Sequence, residues 1–248
     1  MSDADQSART PADKPGRTLA EQAATNLRHP LSLTLLALTF STGTVDAVSY
    51  LGLGHVFTAN MTGNIVLLGF GIAGAGGLPV ISPLVSLAAF VVGAGGGGAL
   101  VRRVQNRHPA QLAFALALEA GLLAGATAVA AATHPHRGTV AADATIALMA
   151  AAMGIRNAIV RRIAVPDLTT TVLTMTITGL AADSTIVGGS GKGTARRTSA
   201  ILAMLVGAIC GALLLKTSMT LTLACAAALA LASCVGYVSA RGRLLDGR

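Results

Sequence analysis

HVFTANMTGNIVLLG, residues 55–69, is the stretch on which the reading of this chain turns. It sits inside a run of 55 residues, 47–101, that contains no Asp, Glu, Lys or Arg. Such a run suits hydrocarbon. Yet Thr58, Asn60, Thr62, Gly63 and Asn64 crowd amides, hydroxyls and a helix-weakening glycine into seven positions. Polar groups taken out of water must find partners, so their concentration here asks for a purpose beyond spanning lipid.

The composition around this stretch is that of an integral membrane protein. Hydrophobic residues make up 53% and charged residues 11%, and the mean hydropathy is +0.68. That leaves too little charge to cover a soluble globule. A net charge of +8 raises the question of nucleic acid, but aromatics are only 3% and Trp is absent. The basic residues stand in short clusters between apolar spans, which is how topology is written, so no nucleic-acid partner is expected. Residues 1–30 mix both charge signs with Pro, Ser and Ala and lack a signal-peptide core; they read as a disordered cytoplasmic tail. Cys210, Cys225 and Cys234 all fall in apolar spans, where they act as small hydrophobes rather than as a disulfide or zinc framework.

A crossing helix needs about 20 apolar residues. Residues 31–53, 78–101, 110–132, 141–160 and 217–240 qualify, with 198–215 a slightly short sixth. The opening stretch with its continuation to residue 77, and LTTTVLTMTITGLAA at 168–182, are awkward: one is polar and broken, the other short, Thr-rich and fenced by Asp167 and Asp183. Charge arbitrates. If both awkward stretches cross, 11 Lys and Arg fall inside and 7 outside. If both dip in and return, 16 fall inside and only Arg137 and Lys216 outside, the asymmetry of a settled topology. Six crossings with cytoplasmic termini are therefore favoured.

The chain also repeats itself. A shift of 111 residues lays Gly43–Ala47 (GTVDA) on Gly154–Ala158 (GIRNA), Asp46 on Asn157, and Thr58 and Asn60 on Thr169 and Thr171. A shift of 114 lays GAGGGGALVR, 93–102, on GAICGALLLK, 207–216. Three crossings per unit force the second copy to enter from the opposite side, as in secondary transporters whose sites form between discontinuous helices near the midplane. The expectation is an all-α integral membrane protein of six transmembrane helices plus two broken or re-entrant segments, arranged as two inverted-topology repeats. The first membrane repeat occupies 31–132, the second 141–240, and a cytoplasmic C-terminal tail 241–248.

GTVDAVSYLGLGHVFTANMTGNIVLLG, 43–69, resembles the hallmark of the YoaK / DUF1275 family, and GIRNAIVRR followed by TTTVLT resembles that family's second motif. The resemblance covers roughly residues 33–240. It implies a bacterial inner-membrane protein with about six spans and carries no assigned activity. One departure is that the second motif usually ends Thr-Gly, whereas here Thr174 is followed by Met175.

In hydrocarbon, irregular backbone survives only inside protein or beside a watery cavity. Asn and Thr can bond the released backbone and still face a guest. Candidate substrate-binding residues are Asn60, Thr62, Gly63 and Asn64 in the first segment and Asn157, Thr170, Thr171 and Thr174 in the second. Gly63 would allow close approach. The alternative for each is ordinary glue between helices. Asp46, Glu119 and Arg156 lie at membrane depth and are candidate ion-coupling residues. Asp46 has two readings, proton or cation coupling and a structural pair with Arg156. Arg156 can also snorkel to the interface, and Glu119 has no partner visible in the sequence.

Other motifs fail on context. GFGIAG, 69–74, lacks the acidic residue of a dinucleotide site, and GGSGKGT, 188–194, lacks the first glycine of a phosphate loop. His134 and His136 flank a proline in a loop and do not make a metal site. No enzymatic grouping, cofactor or metal is expected. Gly93 with Gly97 and Gly207 with Gly211 read as helix-packing pairs, and a homodimer through these faces would help six helices enclose a pathway. The partners expected are the bilayer and an unidentified small solute. The function expected is a small secondary transporter coupled through Asp46; the alternatives are a passive channel and a non-transporting scaffold.

Overall fold

The computed structural model describes residue 27 and residues 29–103, 108–163 and 173–246. The expected N-terminal tail therefore falls almost wholly outside the described residues. Eight α-helices follow: α1 Pro30–Val48, α2 Met61–Ile72, α3 Ile81–Arg103, α4 His108–Thr133, α5 Val140–Ile163, α6 Leu173–Ala182, α7 Thr194–Leu215 and α8 Met219–Asp246. A π-helical turn, Ser49–Gly54, extends α1, so that Pro30–Gly54 forms the first of six helices long and apolar enough to cross a membrane. The other two, α2 with 12 residues and α6 with 10, are too short: at about 1.5 Å per residue they reach roughly 18 and 15 Å of a hydrocarbon core near 30 Å. The last helix runs on to Asp246, through most of the segment expected as a tail.

The bundle has an inside and a lipid face. Within their most apolar windows α1 is 72% and α5 61% buried, against 22% for α3 and 17% for α7, so α1 and α5 form the centre. The outer faces of α3 and α7 expose Val91, Val92, Leu202, Leu205, Ile209 and Leu213, an apolar surface that water would not tolerate at this extent.

Two helix pairs are packed to backbone contact. Between α1 and α7, a Cβ on Gly207 would fall on the Phe40 carbonyl, one on Gly43 on the Met204 carbonyl, and one on Gly211 would lie 2.8 Å from Thr44 Cα. Between α3 and α5, a Cβ on Gly93 would fall on the Ala151 carbonyl, one on Gly154 on the Phe90 carbonyl, and one on Gly97 would lie 3.1 Å from Ile155 Cα. The shifts of 111 and 114 residues carry each contact of the first pair onto one of the second. Contacts advance in the same direction along both members, so each pair is parallel. Gly93, Gly97, Gly207 and Gly211 are thus packed against helices of the same chain, whereas Gly95, Gly96 and Gly98 of the first motif meet nothing within 4 Å.

The order of ends follows from loop contacts. Gly54, closing the π turn, lies against Ser82 at the start of α3, so α1 and α3 are antiparallel. Ser82 Oγ donates to Asp143 Oδ1 at 2.8 Å, and Arg137 Nη2, before α5, donates to the Leu51 carbonyl at 3.2 Å. The start of α5 therefore sits at the end of α1, and α5 runs antiparallel to α1. Arg102, Arg103, Arg161, Arg162, Arg196 and Arg197 consequently share one end of the bundle, while Arg137 and Lys216 share the other.

Replacing Gly207 or Gly93 by Val drives methyl groups into a facing carbonyl and is expected to cost about 1–3 kcal/mol or more, whereas Gly96→Val, which meets nothing within 4 Å, should stay within about 0.5 kcal/mol. Thermal unfolding of the purified variants in detergent checks this, and equal melting of Gly93→Val and Gly96→Val would refute the packing described.

Candidate functional site

Beyond the π turn the chain doubles back along α1. His55 takes a left-handed conformation, φ 53°, and Tyr50 stacks on Phe57 with ring centroids 4.9 Å apart. The returning strand of chain then reaches Asp46. Thr58 N donates to Asp46 Oδ1 at 2.9 Å and Ala59 N at 3.0 Å, with Thr58 Oγ1 at 3.4 Å. The carboxylate thereby satisfies backbone groups that no helix partner reaches, a requirement at membrane depth. Asn60 caps α2 by accepting from Gly63 N at 3.3 Å. From this cap α2 heads back toward the end of the bundle where Gly54 and Ser82 meet.

Asn64 holds the fold-back in place. Its amide accepts from Phe57 N at 2.8 Å, donates to the Phe57 carbonyl at 2.6 Å, and donates to Ser86 Oγ at 3.1 Å; Ser86 Oγ itself donates to the same carbonyl at 2.7 Å. Asn64 is fully buried and both its amide oxygen and nitrogen are bonded within the fold-back and to Ser86, so it acts as the clip of the broken segment. Gly63 packs under Phe57, where a Cβ would lie 2.9 Å from ring carbon Cδ2, and so serves the same fold-back. Thr62 is exposed and outside the cavity described below.

The two expected ion-coupling partners of Asp46 bind each other. Arg156 Nε donates to Glu119 Oε2 at 2.8 Å and Nη2 to Glu119 Oε1, a bidentate pair with both side chains essentially without exposure. The remaining donors reach α1: Nη1 bonds the Leu38 carbonyl and Thr42 Oγ1, each at 2.8 Å, and Nη2 bonds Ser41 Oγ at 3.2 Å. Arg156 therefore neither snorkels nor pairs with Asp46. Asp183, the remaining acid near membrane depth, pairs with Arg197 at 2.8 Å and is half-exposed.

Asp46 is left with one oxygen unused. The residue is only 6% exposed, and its Oδ2 is buried with no hydrogen-bond partner. Beside it lies a cavity of about 160 Å³, bounded by Thr42 and Asp46 of α1, Ala59 and Asn60 of the fold-back, Leu173 and Thr174 at the start of α6, and Met204 of α7. An enclosed site near 150 Å³ admits a molecule of benzene size. Asn60 and Thr174 are exposed and form its mouth; Thr42 and Asp46 are buried and form its floor.

Of the expected substrate-binding residues the structure brings Asn60 and Thr174, one from each broken segment, to the carboxylate of Asp46. Thr170 and Thr171 lie outside the described residues. Asn157 lines a different groove and donates to the Met153 carbonyl at 2.8 Å. Met204, Ser86 and Ser41 were not legible as site residues, since each is an ordinary packing residue until the helices around it are in place. Among the described residues no three His, Cys, Asp or Glu side chains come together in a manner that would hold a metal.

The profile of the family described as "Protein of unknown function (DUF1275)" matches residues 34–236. The chain is 40% identical over 152 residues to the "UPF0700 transmembrane protein YoaK" of Bacillus subtilis (strain 168), an alignment covering 61% of this chain and 65% of that protein, just under two thirds of its length. No solved structure matches. The chain belongs to the DUF1275 family and is a multi-pass membrane protein.

Two measurements test the geometry. Glu119→Gln strands a buried guanidinium and is expected to cost about 3–5 kcal/mol, whereas Glu119→Leu combined with Arg156→Met recovers most of the loss. A double variant as unstable as the single one would contradict the pair. In a background lacking the three cysteines, Cys at position 60 or 174 should react rapidly with small water-soluble thiol reagents and Cys at 64 or 67 should not. Uniform reactivity at all four positions would remove the cavity.

Proposed function

We propose that this chain is a small secondary transporter in the bacterial inner membrane, with both termini cytoplasmic, that carries a small solute through the cavity at Asp46 and couples the movement to a proton or cation on Asp46 Oδ2. The observation that carries the reading is that unpartnered carboxylate oxygen, buried in a residue at the floor of a cavity bounded by the capped start of α2 and the first described turn of α6. Two helix starts aimed at one polar cavity recur in transporters, because their unpaired N–H groups and positive dipole ends can engage a solute that the hydrocarbon excludes.

Three further features support this reading. The helix pairs α1–α7 and α3–α5 make equivalent contacts under the repeat shifts, and α1 and α5 run antiparallel, as two inverted units would. The basic clusters gather at one end of the bundle, which fits a cytoplasmic face. The bidentate Glu119–Arg156 pair removes the other two buried charges from play, so a change in the occupancy of Asp46 alters the net charge of the core. Mechanistically, Thr58 N and Ala59 N fix Oδ1 and hold the carboxylate beside the cavity with Oδ2 buried and unpaired. A proton or cation there offsets the cost of the unpaired buried oxygen, and a solute occupying the same 160 Å³ feels that change directly. The cavity is below the roughly 300–1,000 Å³ of drug-sized sites, so the solute is small.

Asp46→Asn keeps an acceptor for Thr58 and Ala59 and places an amide where Oδ2 was, so stability should change by less than about 1 kcal/mol. In proteoliposomes containing a pH-sensitive dye and challenged with panels of small amino acids, sugars and organic acids, the wild type should give solute-dependent proton or cation movement. Asp46→Asn should abolish it while sparing solute exchange down a gradient. Wild-type coupling in a well-folded Asp46→Asn protein would end the proposal.

A further inference from the structure

A second groove, of about 480 Å³, lies between α3 and α5. Its walls are Phe90, Ala94, Gly98 and Ala158, and its end is ringed by Arg102, Arg161 and Arg162. The three arginines sit in the last turns of their helices and are exposed, with no acid among the described residues that line the groove. Close packing does not call for them. The equivalent pair α1–α7 packs just as tightly with Tyr50, Leu51 and Lys216 at the positions the repeat shifts assign to Arg161, Arg162 and Arg102.

The groove thus joins an apolar trough to a cluster of guanidinium groups at the end of the bundle that carries the positive charge. Arginine is the side chain best suited to a phosphate, which it can grip with two donors at once. Basic pockets between transmembrane helices are recognised ports for anionic headgroups. The trough beyond them is open: a Cβ added at Gly98 meets nothing within 4 Å, so an acyl chain can lie against the helix backbone. We propose that this groove binds one anionic phospholipid, its phosphate held by Arg102, Arg161 and Arg162 and an acyl chain lying over Gly98, Ala94 and Phe90.

The test uses the full chain in neutral detergent, titrated with dioleoylphosphatidylglycerol or dioleoylphosphatidylcholine, with bound lipid counted by native mass spectrometry. The proposal expects one phosphatidylglycerol retained well above phosphatidylcholine. Arg161→Gln with Arg162→Gln should weaken that binding by about fivefold for each arginine removed, while Lys216→Gln at the other end changes nothing. Gly98→Leu, whose side chain has room to enter the trough without disturbing the fold, should displace the lipid with all three arginines in place. Equal retention of the two lipids, or wild-type phosphatidylglycerol binding in both the double arginine variant and Gly98→Leu, would overturn the proposal and leave the arginines as topology signals alone. Displacement of the lipid by glycerol 3-phosphate at equal concentration would overturn it too, showing a phosphate site with no use for the acyl chain.

Discussion

A guanidinium with no exposure to water is the constraint around which this bundle is arranged. Taking Arg156 from water into the core costs several kcal/mol unless its charge is opposed and its donors are all met. Glu119 on α4 supplies the opposing charge in a bidentate grip, and Leu38, Ser41 and Thr42 on α1 take the remaining donors. One side chain on α5 therefore fixes the rotation of two other helices. Any slip of α1 by one residue would turn Thr42 and Ser41 away and leave a charged group short of partners. The interaction yields little net stability against an apolar alternative of the same volume. It does specify which faces of α1, α4 and α5 meet.

Asp46 lies on the same α1 face, one turn beyond Thr42, and meets the opposite fate. Thr42 accepts from Arg156 and also lines the cavity that Asp46 enters, so the neutralised pair and the unneutralised acid are separated by a single hydroxyl. With Arg156 committed to Glu119, no cationic side chain among the described residues bonds Asp46. Backbone N–H groups of the fold-back hold one oxygen, and the other is buried without a hydrogen-bond partner in a residue that lines the cavity. Structural certainty in one buried charge and chemical vacancy in the next are thus two results of the same helix rotation.

Much of this was readable before any coordinates. Length and apolar content place six spans, because hydrocarbon thickness leaves few alternatives. The polar cluster at 55–64 announces an interruption, since a continuous helix would not need it. The matched glycines mark the close helix pairs, although the sequence could not say that their partners lie within the same chain. Pairing of Arg156 with Glu119 was beyond it: the residues are 37 positions apart on different helices, and the choice between Asp46 and Glu119 depends on rotations that packing alone decides. Asn60 and Asn64, four apart on one face, looked interchangeable. The π turn and the left-handed His55 aim the returning chain so that Asn64 clips Phe57 while Asn60 is left at the mouth of the cavity.

The equivalence of the two helix pairs sharpens what distinguishes the site. Asp46 corresponds to Asn157 and Met204 to Phe90 under the repeat shifts, and these two counterparts line the arginine-ended groove. The two cavities thus share that pair of equivalent positions beside parallel, glycine-packed helices, and differ in the rest of their lining. In one copy an aspartate, a fold-back and the start of α6 enclose a small polar cavity. Beside α3 and α5, Asn157 turns its amide back to the Met153 carbonyl of its own helix, and Phe90, Ala94, Gly98 and Ala158 leave a largely apolar trough. Backbone packing draws the helices of both pairs equally close; a carboxylate at one position and an amide at its counterpart, with the fold-back held over the first, make the two surroundings chemically different.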